Sequence, residues 1–177
     1  MKGKYTIVIH NNVLRYEITI NRSITILKGK SATGKSTLYN LFLQLKKRGS
    51  KSGIHCNMTD KIDILDSSED WNYLQYKLNE SRGKIFISDE GNIFMGTPEF
   101  ASLIQQSDNY FIFITRSSRL NYLTYSMDSI YELRSEKRGN ITVTKMFPMY
   151  SNVDMKFYPD IIISEDSNSG MTGLQRL

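Results

Sequence analysis

A chain of 177 residues that is 40% hydrophobic suits one globular domain with a proper core. Its apolar residues never run long enough to span a bilayer, and its first residues alternate apolar and polar side chains without the apolar block of a signal peptide, which predicts a cytoplasmic, soluble protein with no membrane partner. A single cysteine, Cys56, excludes an internal disulfide and a cysteine-rich zinc site, and a net charge of +5 is well short of a nucleic-acid-binding tail.

In chain order, residues 4–10 and 13–20 alternate apolar and polar positions around Asn11-Asn12. Asparagine tolerates positive φ, so the pair predicts a β-hairpin. A third strand is expected over 23–27. A loop of glycine, lysine and serine follows, and then a helix from Lys35 to Arg48 with Leu38, Leu41, Phe42 and Leu45 on one face. The basic triplet Lys46-Lys47-Arg48 before Gly49 suits the negative end of that helix. Residues 49–60 read as a loop and 61–65 as a short strand. Residues 66–80 read as a capped amphipathic helix. Ser67 and Asp70 form a capping box there, and Trp71, Leu74 and Leu78 share a face. Residues 85–88 form a buried-type strand, Pro98 opens a helix reaching Gln106, and residues 110–115 form a second buried strand. After an irregular stretch over 116–128, two strands, 129–133 and 140–146, flank a basic turn. The expected domain covers 1–148. Residues 149–177 form a C-terminal extension, with one strand candidate at 161–163, that is partly mobile or partner-binding.

The loop Gly29-Lys30-Ser31-Ala32-Thr33-Gly34-Lys35-Ser36 fits G-x-x-x-x-G-K-[ST] at every position, with a strand before it and a helix after it. The glycines let successive N–H groups point at one centre, at the positive end of a helix dipole, where phosphate oxygens can sit. In such a loop Lys35 reaches the β and γ phosphates, the Ser36 hydroxyl holds Mg²⁺, and Thr37 contacts the α-phosphate. A second constellation follows some fifty residues on, where the strand 85–88 ends in Asp89-Glu90. A third stands where the strand 110–115 ends in Thr115 and Arg116.

The first motif resembles the Walker A loop of P-loop NTPases, and Asp89-Glu90 resembles Walker B. The whole is similar to a reduced ABC-type ATPase related to RecF and SMC heads. The resemblance implies an α/β P-loop NTPase fold, a mainly parallel sheet covered by helices with an N-terminal antiparallel hairpin as a flank. It implies ATP and Mg²⁺ as ligands, with Asp89 steadying the ion through water, Glu90 accepting a proton from the attacking water, and Thr115 and Arg116 sensing the γ-phosphate. Where ABC heads carry a signature that caps the partner's phosphate, residues 65–70 here carry Asp66, Glu69 and Asp70, which would repel it.

The expectation is therefore a slow ATPase acting as a nucleotide-gated accessory subunit, with a protein partner or a second copy of the chain and little support for nucleic acid. One alternative is a small phosphotransferase, with Phe94 near the nucleoside and Arg116 and Arg119 as lid arginines. Another is a non-hydrolysing nucleotide-gated binding module. The stretch 60–63 resembles a guanine-reading motif, but it precedes the Walker B strand, so adenine is expected. Tyr5 or Tyr16 can stack on adenine, and Tyr122, Tyr125 and Arg119 on single-stranded bases. His10 and His55 read as isolated.

Overall fold

The structure is a computed structural model, and it describes residues 3–116 and 120–150. Arg119 and the strand candidate at 161–163 lie outside the described residues, as does all of the extension beyond Tyr150.

The first two strands, β1 (Tyr5–His10) and β2 (Leu14–Ile20), pair antiparallel as the alternation requires. The Asn11 carboxamide oxygen accepts from the Val13 and Leu14 amides and closes the turn. Strand β3 (Ile24–Leu27) leads into the loop and helix α1 (Lys35–Arg48). Two short edge strands follow, β4 (His55–Cys56) and β5 (Ile62–Ile64). Helix α2 (Trp71–Asn79), strand β6 (Ile85–Asp89), helix α3 (Pro98–Gln106), strand β7 (Tyr110–Ile114) and the long hairpin β8 (Ile130–Arg138) and β9 (Ile141–Pro148) complete the order.

Helix α2 begins later than its sequence pattern suggests. Asp70, not Ser67, is its N-cap, with a carboxylate oxygen accepting from the Tyr73 amide at 2.9 Å. Ser67 lies outside the helix because Asp66 bonds the Ser68 amide and hydroxyl in a turn of its own. Asp70→Ala is expected to lower stability by about 1 kcal/mol, measured as a shift of the denaturant midpoint. The basic turn expected at 134–138 is strand instead. Cross-strand pairs run from Tyr131–Pro148 to Arg138–Ile141, so only Gly139 and Asn140 turn the hairpin.

The strands form one sheet in the order β4-β1-β2-β9-β8-β3-β7-β6-β5. The expected P-loop NTPase fold, a mainly parallel sheet covered by helices with the hairpin as a mere flank, is not what forms. The sheet is mixed across its width and curls into a half-barrel, and only three α-helices, of 14, 9 and 9 residues, stand among the described residues. The cause lies in the pairing. The β8–β9 hairpin inserts between β2 and β3, and β2 joins β9 in parallel, so the N-terminal hairpin is continuous with the rest. Right-handed twist accumulated over so many strands curls the sheet.

One face of the sheet packs on α1. Ile7, Ile9, Ile18, Ile20, Leu27, Ile85, Ile87, Ile112 and Leu133 pack with Leu38, Leu41 and Phe42 in one cluster. On the opposite face, α2 and α3 pack on the strands toward the β5 edge, where Phe86, Phe111 and Phe113 meet Leu74, Leu78 and Phe100. Burial on both faces explains why β3, β6 and β7 read as continuous apolar runs. Further along that face no other α-helix of the described residues enters the core cluster. Glu17 there pairs with Arg15 and Lys145 in the partly exposed manner of a solvated sheet. No helix of the described residues is long and apolar enough to cross a membrane.

Candidate functional site

Strands β3, β6 and β7 run parallel, and their ends meet at one rim. Leu27 and Asp89 are both in register with Ile114, and the Thr115 amide donates to the Leu27 carbonyl at 3.1 Å. The topology therefore brings the 29–36 loop, Asp89-Glu90 and Thr115-Arg116 together, as the motifs suggest.

Inside the loop, the Lys35 ammonium donates to the Gly29 and Lys30 carbonyls at 2.7 Å each and to the Thr33 hydroxyl at 2.8 Å. Thr33 in turn donates to the Lys30 carbonyl at 3.2 Å. Lys35 is 4% exposed. Burial lowers its pKa, and the Arg116 guanidinium lowers it further, while Glu90 opposes them. Gly34 takes φ +85° at the start of α1, and Ala32 takes φ +64°. An alanine in the left-handed region costs about 1 kcal/mol, a strain of the kind found where a loop is held for a purpose. Helices α2 and α3 start under the side chains of Asp70 and Thr97, but no side chain caps α1. Its first-turn amides are of the kind that no helix satisfies internally, at the positive end of the helix dipole.

Across the rim, Asp89 is half-buried and accepts from the Gly91 amide at 3.1 Å. Burial raises its pKa, and Glu90 and Asp66 push the same way. Glu90 accepts from the Arg116 amide at 3.0 Å, with its other oxygen 3.6 Å from the Arg116 guanidinium. Arg116 also reaches the loop, donating to the Ser31 hydroxyl at 3.3 Å. Thr115 is buried beside it, whereas Ser36 and Thr37 are exposed on the first turn of α1.

Two spaces result. Lys35, Ser36, Asp89, Glu90, Thr115 and Arg116 line a cleft of about 30 Å³, about one water's share of liquid volume. Lys28, Gly29, Lys30, Ser31, Arg116 and Met149 line an open depression of about 470 Å³ over the loop. The cleft is lined by both acids and both cations of the rim, and the depression carries Lys28, Lys30 and Arg116. No three His, Cys, Asp or Glu side chains among the described residues form a metal cage. Ser36 and Asp89 alone would hold a magnesium ion in the usual way of that metal, with water and phosphate oxygens filling the remaining positions.

The sequence reading misplaces several side chains. Tyr16 is 2% exposed and cannot stack on a base. Tyr5 packs edge-on against Tyr110, at the end of β7 away from the loop, with Lys61 over its ring. Tyr125 lines a polar depression beside Asn21 to Ile24, again at the far end of β3. Phe94 packs against Trp71, 5.3 Å between ring centres. Asp63, in the guanine-like stretch, is occupied by Lys46 and Lys77. His10 and His55 are stacked neighbours across β1 and β4, 5.4 Å apart, not isolated. Glu69 pairs with Lys77 at 2.7 Å and Asp70 caps α2, so two of the three acids expected to repel a partner's phosphate serve the chain's own structure.

Two residues take places that the sequence reading did not give them. The Leu65 amide donates to the Ile87 carbonyl, which extends β5 by one residue and carries Asp66 to the level of Asp89. Both acids, after burial itself, raise the pKa of the Tyr39 phenol on α1. Tyr16 is the second, with its hydroxyl donating to the Gly34 carbonyl at 3.1 Å. The sequence reading offered it only as a residue to stack on adenine. Neither the protein-family models nor the curated proteins compared with this chain contain a match to it.

Proposed function

We propose that this chain binds Mg-ATP at the 29–36 loop and hydrolyses it slowly, as a nucleotide-gated accessory subunit whose partner is another protein or a second copy of the chain. The observation that carries the reading is the buried Lys35 ammonium at the floor of a strained loop, facing Ser36, Asp89, Glu90 and Arg116 across the rim. Lys35 and the first-turn amides of α1 hold the phosphate chain. Ser36 and Asp89 hold the ion, which when bound neutralises charge on the phosphate oxygens. Arg116 gives up Ser31 for the terminal phosphate, to which a guanidinium bonds in a bidentate fashion. Glu90 takes a proton from water. The hold of Arg116 on Glu90 restrains that base and is the reason for expecting slow turnover.

The same hold favours a second reading, a binding module that reads nucleotide occupancy without hydrolysis. Both readings place the protein in the cytoplasm. Titration of the full chain with a fluorescent ATP analogue and magnesium, followed by a phosphate-release assay without acceptor, separates the readings. Saturable binding with steady release is expected. Binding without release selects the second reading, ADP formation that needs an added nucleoside and frees no phosphate selects a phosphotransferase, and absence of binding at millimolar nucleotide removes the proposal.

A further inference from the structure

We infer that Tyr16 is a positioning residue of the phosphate loop, fixing Gly34 in the conformation that anion binding needs; the inference rests on the phosphate-binding reading above. Tyr16 stands on β2, remote in sequence from the loop, yet its hydroxyl donates to the Gly34 carbonyl, the same oxygen that accepts the first helical hydrogen bond of α1 from the Leu38 amide at 2.9 Å. One buried phenol thus fastens the last residue of the loop and the first turn of the helix together. The contact is close. A Cβ built on Gly34 would lie 2.8 Å from the Tyr16 oxygen, so the phenol excludes every side chain from a position whose φ of +85° already favours glycine.

The phenol is itself held. Burial raises its pKa, and hydrogen bonding to the Thr37 and Thr144 side chains opposes the rise. Thr144 is 1% exposed on β9, in register with Tyr16, and its hydroxyl bonds Ser135 of β8 at 2.8 Å. Thr144 of the β8–β9 hairpin thus stands in register beside the tyrosine that fastens the loop. This gives the parallel β2–β9 pairing a use: it sets the flank of the sheet against the site.

The test compares Tyr16→Phe with Tyr110→Phe, which removes the hydroxyl of another tyrosine of the same core cluster, one that accepts from the Gly3 amide at the other end of the sheet. Thermal stability is expected to fall similarly in both. Affinity for Mg-ATP is expected to fall about tenfold in Tyr16→Phe alone. Without nucleotide, the amides of residues 29–37 should exchange with deuterium faster in Tyr16→Phe and at the wild-type rate in Tyr110→Phe. Unchanged loop exchange and affinity in Tyr16→Phe, or equal changes in both variants, would overturn the inference. If the wild-type chain binds no nucleotide, the functional reading fails, and loop exchange alone decides the role of Tyr16.

Discussion

Lys35→Ala is expected to reduce Mg-ATP affinity by at least about a hundredfold, read by equilibrium titration. A charge-assisted hydrogen bond contributes about 1.5–3 kcal/mol, and each 1.4 kcal/mol is tenfold in affinity. Lys35 would make more than one such bond to a phosphate chain. The substitution has a structural cost as well. The ammonium satisfies two loop carbonyls and the Thr33 hydroxyl in a nearly buried setting, and alanine leaves them without that donor. Lys35→Arg separates the two effects. It keeps the charge, but its planar head does not fit a space shaped around one ammonium, so it should restore part of the stability and little of the affinity. Undiminished binding by Lys35→Ala would show that phosphates do not enter the loop.

The second large effect is expected at Glu90. Glu90→Gln should leave Mg-ATP affinity within about threefold of wild type and lower turnover by about a hundredfold or more, the range of general-base contributions. Glutamine keeps an oxygen to accept from the Arg116 amide, so the rim stays closed. It loses the negative charge that draws a proton from water and that supports the Lys35 ammonium. A slight fall in affinity through Lys35 is thus built into the expectation. Wild-type phosphate release by Glu90→Gln would take that residue out of the base role. Asp66 would be the next carboxylate to examine, because it reaches the level of Asp89 from the neighbouring strand.

The site was legible in the sequence to the extent that short-range patterns define it. Glycine and lysine spacing marked the loop, and apolar runs ending in Asp89 and Thr115 marked the strands that face it. Because those strands are parallel and adjacent, their ends had to converge, and they do. The supports were not legible. Tyr16 meets Gly34 only because β2 pairs with β9, two strands separated by most of the chain, and no local periodicity encodes that pairing. The fold was misread for the same reason. Alternating strands and helices suggest layers of helix over a parallel sheet. The hairpin β8–β9 instead occupies the middle of the sheet, and helix α1 packs on one face of it. The helix boundary at Trp71 failed on a smaller scale, where Asp66 drew Ser68 into a turn and left the capping to Asp70.

The outermost strands of the sheet, two residues at β4 and three at β5, are also its shortest. Few main-chain donors and acceptors are left there for a foreign strand to zip onto. A nine-stranded sheet so trimmed resists runaway stacking into fibrils.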